Sequence, residues 1–268
     1  MKCLDLHPWD LEYSEAVKLQ QQMREQLILE AVEMDIRLIA GADVSYSKGS
    51  DLFFSSVVVL EVPSMTVMEV ADAEGKVDFP YIPGLLSFRE AAILIKAFEK
   101  INNTPEVVIF DGQGIAHPRG LGLASHMGLI LDLPSIGCAK KNLVGDYGPV
   151  GSEVGEHTSI IFKGEVVGAV LRTKRNVMPV FVSPGHRMDI PSAVDIVMKT
   201  CRGYKLPEPT RQAHISVNKV RASLGSPSQA LESPRTRGSE QRGKTGASAP
   251  VARNSDYSTQ SPYQRELF

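Results

Sequence analysis

The spacing of apolar residues in the first third of the chain predicts one helix followed by three strands. Apolar residues recur at helical spacing between positions 11 and 34, among Gln, Glu and Lys. Three β-branched runs follow, separated by Ser-Lys-Gly-Ser and by Pro-Ser, which is typical of an antiparallel meander. The predicted strands are Leu38 to Tyr46, Leu52 to Val62 and Thr66 to Ala71.

The pattern then changes to helices alternating with short apolar strands. This alternation predicts parallel strands joined by crossover helices. Periodicity alone supports an α/β sandwich, but a meander followed by βαβ units, with carboxylates on its strands, is the order of a ribonuclease-H-like mixed sheet flanked by helices. The later elements are predicted at Ser87 to Lys100, Val107 to Phe110, Leu123 to Leu131, Ser135 to Cys138, Ser159 to Phe162, Val166 to Arg172, Val180 to Ser183 and Ile190 to Thr200.

The composition changes near position 224 to Ser, Pro, Gly, Arg and Thr, with almost no aliphatic residues. Such a segment cannot bury enough apolar surface to offset its chain entropy. We therefore expect one folded domain over residues 1–222 and a disordered, low-complexity tail over residues 223–268.

Composition and charge exclude several classes of protein. The 268 residues carry a formal net charge of −2, so no global positive field attracts a polyanion and any nucleic-acid site must be local. The apolar runs are too short to cross a bilayer and the N-terminus has no signal pattern, which predicts a cytoplasmic protein without a membrane partner. The three cysteines form no CxxC pair, and we expect free thiols.

Two aspartates, one within a predicted strand and one at the end of another, are candidate metal ligands. Asp43 interrupts an apolar strand, where an ionised carboxylate is costly unless it is paired or binds a cation; the alternative is an Asp that caps a strand end. Asp111 ends a wholly apolar strand, at the edge where α/β sheets place their sites. Carboxylates at one height on adjacent strands can share a hard cation, and oxygen ligands favour Mg²⁺ or Mn²⁺ over zinc.

Three further residues are weaker candidates on sequence alone. Glu90 falls near a predicted helix start, with Ser87 as a plausible N-cap, where the helix dipole favours a carboxylate without any function. Lys140 follows a third predicted strand and could stabilise charge on a phosphate oxygen. His214 lies in a polar stretch, where a surface histidine is the default interpretation.

Two loops have the composition of a nucleic-acid site. Pro80 and Pro83 stiffen a loop and hold Tyr81 and Ile82 outward, as in a wedge that separates bases; the alternative is a structural loop that packs Tyr81 into the core. The run after Asp111 brings glycines that permit close approach of a flat base, and an arginine that could bind a phosphate. Its candidate residues are Gly112, Gly114, His117 and Arg119.

Several of these segments together resemble the endonuclease V family of deoxyinosine-specific repair nucleases. The resemblance spans residues 10–220 and leaves the tail outside. It is carried by Gly41-Ala-Asp-Val-Ser-Tyr46, Pro80-Tyr-Ile-Pro-Gly-Leu-Leu-Ser-Phe-Arg-Glu90, Asp111-Gly-Gln-Gly-Ile-Ala-His-Pro-Arg119, Gly122-Leu-Ala-Ser-His126, Ile136-Gly-Cys-Ala-Lys140 and Pro207-Glu-Pro-Thr-Arg211.

The resemblance implies a ribonuclease-H-like fold and a Mg²⁺-dependent repair endonuclease, with Mn²⁺ as a substitute. The reaction it implies is hydrolysis of the second phosphodiester bond 3′ to deoxyinosine, which leaves 3′-hydroxyl and 5′-phosphate ends. The implied partner is DNA containing deoxyinosine or other deaminated bases. An RNA-directed nuclease acting on inosine and a noncatalytic binder of distorted nucleic acid remain alternatives.

The resemblance also assigns roles to residues. Asp43 and Asp111 would bind the metal, Glu90 would complete the acidic cluster, and His214 would lie near the metal and the attacked phosphate. The other assignments are Lys140 facing the scissile phosphate, Tyr81 as wedge within the Pro80–Pro83 loop, and Gly84, Leu86, Gly112, Gly114 and His117 around the flipped base. Main-chain donors of Gly112 and Gly114 could recognise the hypoxanthine carbonyl.

Overall fold

One mixed sheet organises the computed structural model, which describes residues 1–30, 35–47 and 49–224. Its strands are β1 (Leu38–Tyr46), β2 (Leu52–Glu61), β3 (Thr66–Lys76), β4 (Val107–Phe110), β5 (Ser135–Ala139), β6 (Asp146–Tyr147), β7 (His157–Phe162), β8 (Glu165–Leu171) and β9 (Val180–Pro184). Across the sheet the order is β3-β2-β1-β4-β5-β9-β8-β7-β6. The pairs β1–β4 and β4–β5 are parallel and the other pairs are antiparallel.

Helices cover both faces of the sheet. They are α1 (Tyr13–Arg24), α2 (Leu86–Phe98), α3 (Leu123–Leu131), α4 (Ile190–Lys199) and α5 (Glu208–Leu224). Successive strand residues point to opposite faces, so Ala40 and Ala42 of β1 join the core under α2 and α3, whereas Ile39 joins the core under α4 and α5. The remaining odd positions of β1 therefore point toward α5.

The fold confirms the predicted mixed sheet and its opening meander, and it differs from the prediction at several points, among them β3, which continues past Ala71 to Lys76, and the unpredicted β6. Helix α1 ends at Arg24, because Leu27 and Leu29 pack on a separate core cluster from a non-helical segment; residues 31–34 of the predicted helix lie outside the described residues. Helix α5 was missed, since its sequence is polar apart from a narrow apolar side that buries Ala213 and Val217.

The domain boundaries and the cytoplasmic location stay predictions. Helix α5 continues two residues past the predicted boundary at position 222, to Leu224, and the rest of the predicted disordered tail lies outside the described residues. Within the described ranges, every helix is too short or too polar to span a bilayer.

Candidate active site

The register of the parallel strands places the two aspartates side by side. Ala42 of β1 is the partner of Phe110 of β4, and each is followed directly by an aspartate. The backbone N–H of Asp111 donates to the carbonyl of Ala42 at 3.3 Å. Asp43 and Asp111 therefore leave adjacent strands at the same height, as the sequence predicts.

Helix α5 brings His214 to this pair. Its start packs so closely on β1 that a Cβ on Gly41 would lie 2.0 Å from the carbonyl oxygen of Pro209. The helix then runs along β1, and His214 Nδ1 lies 2.7 Å from Asp43 Oδ2. The surface location that the sequence alone favours for His214 does not hold, because its side chain is half-buried and contacts Asp43, which lies 171 positions away in the sequence.

Lys140 forms the basic side of the site. It follows β5 and places Nζ 2.7 Å from Asp111 Oδ2. Burial lowers the pKa of Lys140, but the charge and hydrogen bond of Asp111 outweigh burial and raise the pKa overall. The side chain is therefore a protonated cation at neutral pH.

Glu90 completes the acidic cluster from α2. It is buried in the second turn of the helix, so its position owes nothing to a favourable first turn; the N-cap is Leu85, and the predicted cap Ser87 instead contacts His126 Nδ1 at 3.0 Å. Burial, together with the negative charges of Asp43 and Asp111, raises the pKa of Glu90 to about 8. Burial also raises the pKa of Asp43, against the effect of His214.

The raised pKa of Glu90 predicts a pH-dependent stability. Its folded pKa of about 8 exceeds the ordinary 4.5, so the folded state holds the proton more tightly and metal-free protein loses stability as pH rises from 4.5 to 8. Glu90→Gln removes this loss. In EDTA, we expect the variant to melt about 5 °C higher than wild type at pH 8 and at a similar temperature at pH 5. Equal melting differences at both pH values would contradict the buried charge; the exposed Glu165→Gln is the control.

The donor set fits a hard divalent cation. One ligand atom each from Asp43, Asp111 and His214 lie within 4.8 Å of one another. Carboxylates forced together in a buried site repel one another, and a divalent cation relieves that repulsion. Asp43 and Asp111, whose carboxylates lie close together on adjacent strands, therefore form a candidate site for a divalent metal ion.

The two residues between the prolines, Tyr81 and Ile82, differ in their exposure to solvent. Tyr81 is 60% exposed, between the exposed Pro80 and Pro83, and so does not pack into the core. Ile82 is half-buried against a small cluster that contains Leu85, Ala16 and Phe88. The prediction that Ile82 points outward is wrong, because α1 offers this side chain an apolar surface; its packing holds Tyr81 toward solvent.

Gly84 connects the proline loop to the segment after β4. Its φ of +79° favours glycine, and its carbonyl accepts hydrogen bonds from Arg119 Nη2 at 2.6 Å and Gln20 Nε2 at 3.0 Å. Gln20 Oε1 also accepts from Arg119 Nε. Two guanidinium donors of Arg119 are thus used inside the protein, and the predicted phosphate contact of its remaining donors stays a prediction.

The other residues of the predicted base pocket lie in the same region. Leu86 begins α2 directly after the proline loop, and Gly112 follows Asp111. His117 is buried beside Gly84, and burial and then Arg119 lower its pKa to about 4, so the ring is neutral. A neutral imidazole can both donate and accept a hydrogen bond.

The glycine donors are already engaged. The N–H of Gly114 donates to Ser183 Oγ at 2.8 Å, and the N–H of Gly112 donates to the carbonyl of Phe110 at 2.9 Å. A Cβ at Gly114 would lie 2.0 Å from the carbonyl oxygen of Pro184, so this glycine serves packing. Both main-chain donors that the sequence assigns to the hypoxanthine carbonyl are therefore paired within the protein, and the role of Gly112 and Gly114 in a base pocket stays a prediction.

Three polar residues at the site were missed from the sequence. Asn218 and Ser45 form hydrogen bonds around His214, and Gln20 of α1 is fully buried and donates to the carbonyls of Gly84 and Leu121. A signal exists only for Asn218, which lies four residues after His214 and so shares its face once α5 is known to be helical.

Comparisons with known proteins give one consistent result. The family model described as Endonuclease V matches residues 18–215. Endonuclease V of Myxococcus xanthus is 48% identical over 228 residues, covering 83% of this chain and 97% of that protein. The crystal structure of endonuclease V from Bacillus subtilis superposes with a TM-score of 0.81 at 31% identity, covering 84% of this chain and 99% of that one.

One solved relative contains nucleic acid. It is endonuclease V of Ciona intestinalis in complex with a 24mer DNA containing an inosine followed by a ribo-adenosine. Its TM-score is 0.71 at 28% identity, with 79% of this chain and 98% of that chain covered.

Proposed function

The chain belongs to the endonuclease V family and is a nuclease, and from this premise we propose that it is a repair deoxyribonuclease acting on deoxyinosine. It would hydrolyse the second phosphodiester bond 3′ to the lesion, leaving the lesion in the nicked strand with 3′-hydroxyl and 5′-phosphate ends. The observation that carries the proposal is the convergence of Asp43, Asp111 and His214 at one edge of the sheet, next to the cation of Lys140.

We assign the metal site to Asp43 and Asp111. Mg²⁺ is the ion we propose, with Mn²⁺ able to replace it, because the carboxylates offer hard oxygen ligands. When bound, such an ion lowers the pKa of a water and polarises a phosphoryl group. Glu90 lies behind the two aspartates, where its side chain would orient a water molecule and, once a bound cation favours its ionised form, would add negative charge to the cluster.

Lys140 and His214 flank the carboxylates. Lys140 supplies a positive charge, and His214 supplies a hydrogen-bonding partner for Asp43. The ammonium of Lys140 would stabilise negative charge that develops on the scissile phosphate. His214 holds Asp43 through its 2.7 Å contact, which keeps that carboxylate turned toward Asp111. A site that only binds nucleic acid has no use for carboxylates against the phosphates that it must hold, so the arrangement favours hydrolysis over passive binding.

Recognition of the base is assigned to the two connected loops. Tyr81 would enter the duplex as a wedge while a flipped hypoxanthine, or another deaminated base, occupies the region around Gly84, Leu86, Gly112 and His117. Flipping costs least for a weakly paired base, and an inosine pair is weak. A site that hydrogen-bonds the hypoxanthine carbonyl leaves groups unpaired when adenine, with its amine, takes the same place.

A panel of matched oligonucleotides tests this proposal. Single- and double-stranded DNA and RNA, each carrying one inosine or one adenosine at the same position, are incubated with Mg²⁺ or with EDTA. We expect Mg²⁺-dependent nicking of inosine DNA at the second 3′ bond. Cleavage confined to RNA would favour the ribonuclease alternative, and tight binding without any cleavage would favour the noncatalytic binder.

The wedge assignment predicts a loss of discrimination in Tyr81→Ala. Stacking of one aromatic ring on a base contributes about 1–3 kcal/mol, so affinity for an inosine duplex should fall about 10- to 100-fold while affinity for undamaged DNA changes little. Fluorescence anisotropy with both duplexes measures the ratio. Tyr13→Ala, which truncates another exposed tyrosine, is the matched control, and Tyr81→Phe should keep most of the affinity. An unchanged ratio in Tyr81→Ala would remove the wedge.

A further inference from the structure

The amide of Asn218 has one orientation that satisfies its neighbours. Its Nδ2 atom lies 2.8 Å from the backbone carbonyl of His214 and 3.1 Å from Nε2 of the same residue. A carbonyl oxygen can only accept, so the atom beside it must be the NH₂ group. The other end of the amide, Oδ1, then accepts from Ser45 Oγ at 3.2 Å.

This orientation determines which nitrogen of the imidazole carries the proton. Because Asn218 donates to Nε2, that nitrogen must offer its lone pair. The proton of a neutral His214 ring therefore lies on Nδ1, from which it donates to Asp43 Oδ2 at 2.7 Å. Both ring nitrogens are then engaged by protein atoms.

The chain of contacts rests on a match between strand and helix spacing. Asp43 and Ser45 lie two residues apart on one face of β1, a distance of about 6.6 Å. His214 and Asn218 lie four residues apart on α5, a rise of about 6 Å. The two pairs therefore lie opposite each other, so that Ser45 forms a hydrogen bond with Asn218 and Asp43 forms one with His214.

We propose that Asn218, anchored by Ser45, is a positioning residue that holds His214 with its proton on Nδ1 facing Asp43, so that His214 orients the carboxylate and is not itself a metal ligand. The role in catalysis rests on the proposed function. Asp43 retains lone pairs for a cation, since within the described residues its oxygens accept hydrogen bonds from His214 and from the N–H of Val44, and a carboxylate has about four acceptor sites.

Nitrogen NMR of metal-free protein tests the proton position without reference to activity. Long-range ¹H–¹⁵N spectra of ¹⁵N-histidine protein, assigned with His214→Gln, should show Nδ1 protonated and Nε2 bare for His214. In Asn218→Ala we expect the two nitrogens to shift toward an averaged pattern. In Asn218→Asp the carboxylate can only accept, so Nε2 should become protonated. A wild-type ring protonated on Nε2, or a pattern unchanged in both variants, would overturn the proposal.

Kinetics separate positioning from helix docking. Loss of such a supporting hydrogen bond typically costs 10- to 100-fold, so Asn218→Ala should lower kcat by about that factor with KM for inosine DNA unchanged, and Ser45→Ala should show a smaller loss. Ser216→Ala removes a contact between α5 and Asp72 and is the control. Equal losses in Ser216→Ala and Asn218→Ala would reduce Asn218 to a docking residue and overturn the proposal. If wild type cleaves nothing, the proposed function fails while the NMR result still decides the proton position.

Discussion

Asp43→Ala and Asp111→Ala are each expected to reduce cleavage of inosine-containing DNA by about 1000-fold or more, which corresponds to about 4 kcal/mol of transition-state stabilisation. The two carboxylates lie at one height on adjacent parallel strands and are the metal ligands that we propose. Removal of either one leaves an incomplete ligand set, and removal of Asp111 also deprives Lys140 of its partner at 2.7 Å. Binding of the lesion should persist in part, because the proline loop and the base region are untouched.

Three measurements on the same preparations distinguish loss of chemistry from loss of structure. These are single-turnover cleavage with Mg²⁺, affinity for the inosine duplex and the melting temperature. Asp51→Ala is the matched control, because it removes an exposed carboxylate from a surface ion pair with Lys76. Undiminished Mg²⁺-dependent cleavage by either active-site variant would count decisively against the site.

Gly41→Ala should have a large structural effect on the site. The added Cβ would lie 2.0 Å from the carbonyl oxygen and 2.1 Å from the carbonyl carbon of Pro209, both backbone atoms that cannot rotate away. Helix α5 would have to shift outward, and His214 with it. Overpacking of this kind costs about 1–3 kcal/mol or more, and we expect a fall of several degrees in melting temperature together with at least a 10-fold loss of cleavage.

Gly148→Ala is the matched control for that substitution. Its Cβ would meet only Thr158 Oγ1, at an ordinary 3.6 Å. Wild-type stability and cleavage in Gly41→Ala would mean that α5 does not dock on β1 as closely as described, and the contact between His214 and Asp43 would lose its structural basis.

Much of the fold could be predicted because local patterns carried it. Each β-branched run of the meander, and the apolar run before Asp111, predicts one strand from its own composition. The parallel pairing follows from the order of strands and helices. Asp43 and Asp111 could be recognised as candidates for the same reason, since a carboxylate within an apolar strand or at its end is costly without a partner.

The rest of the site depends on contacts between distant segments. The polar sequence of α5 gives no strong period, so the residues alone indicate neither the helix nor the contact of His214 with Asp43, and only the family resemblance places His214 near the carboxylates. Ile82 turns inward because α1 lies beside it. Arg119 is committed to Gly84 and Gln20, 35 and 99 positions away. No local pattern specifies which of several hydrogen-bond partners a loop arginine will meet.

Replacing one oxygen of the scissile phosphate by sulfur tests most directly whether a metal ion held by Asp43 and Asp111 contacts that phosphate. Mg²⁺ held by Asp43 and Asp111 would bind a phosphate oxygen far better than sulfur, whereas Mn²⁺ also accepts sulfur as a ligand. We predict that one phosphorothioate diastereomer at the second bond 3′ to deoxyinosine is cleaved much more slowly than the normal linkage in Mg²⁺, and that Mn²⁺ restores its cleavage. Equal Mg²⁺-supported rates for the normal linkage and both diastereomers would contradict it.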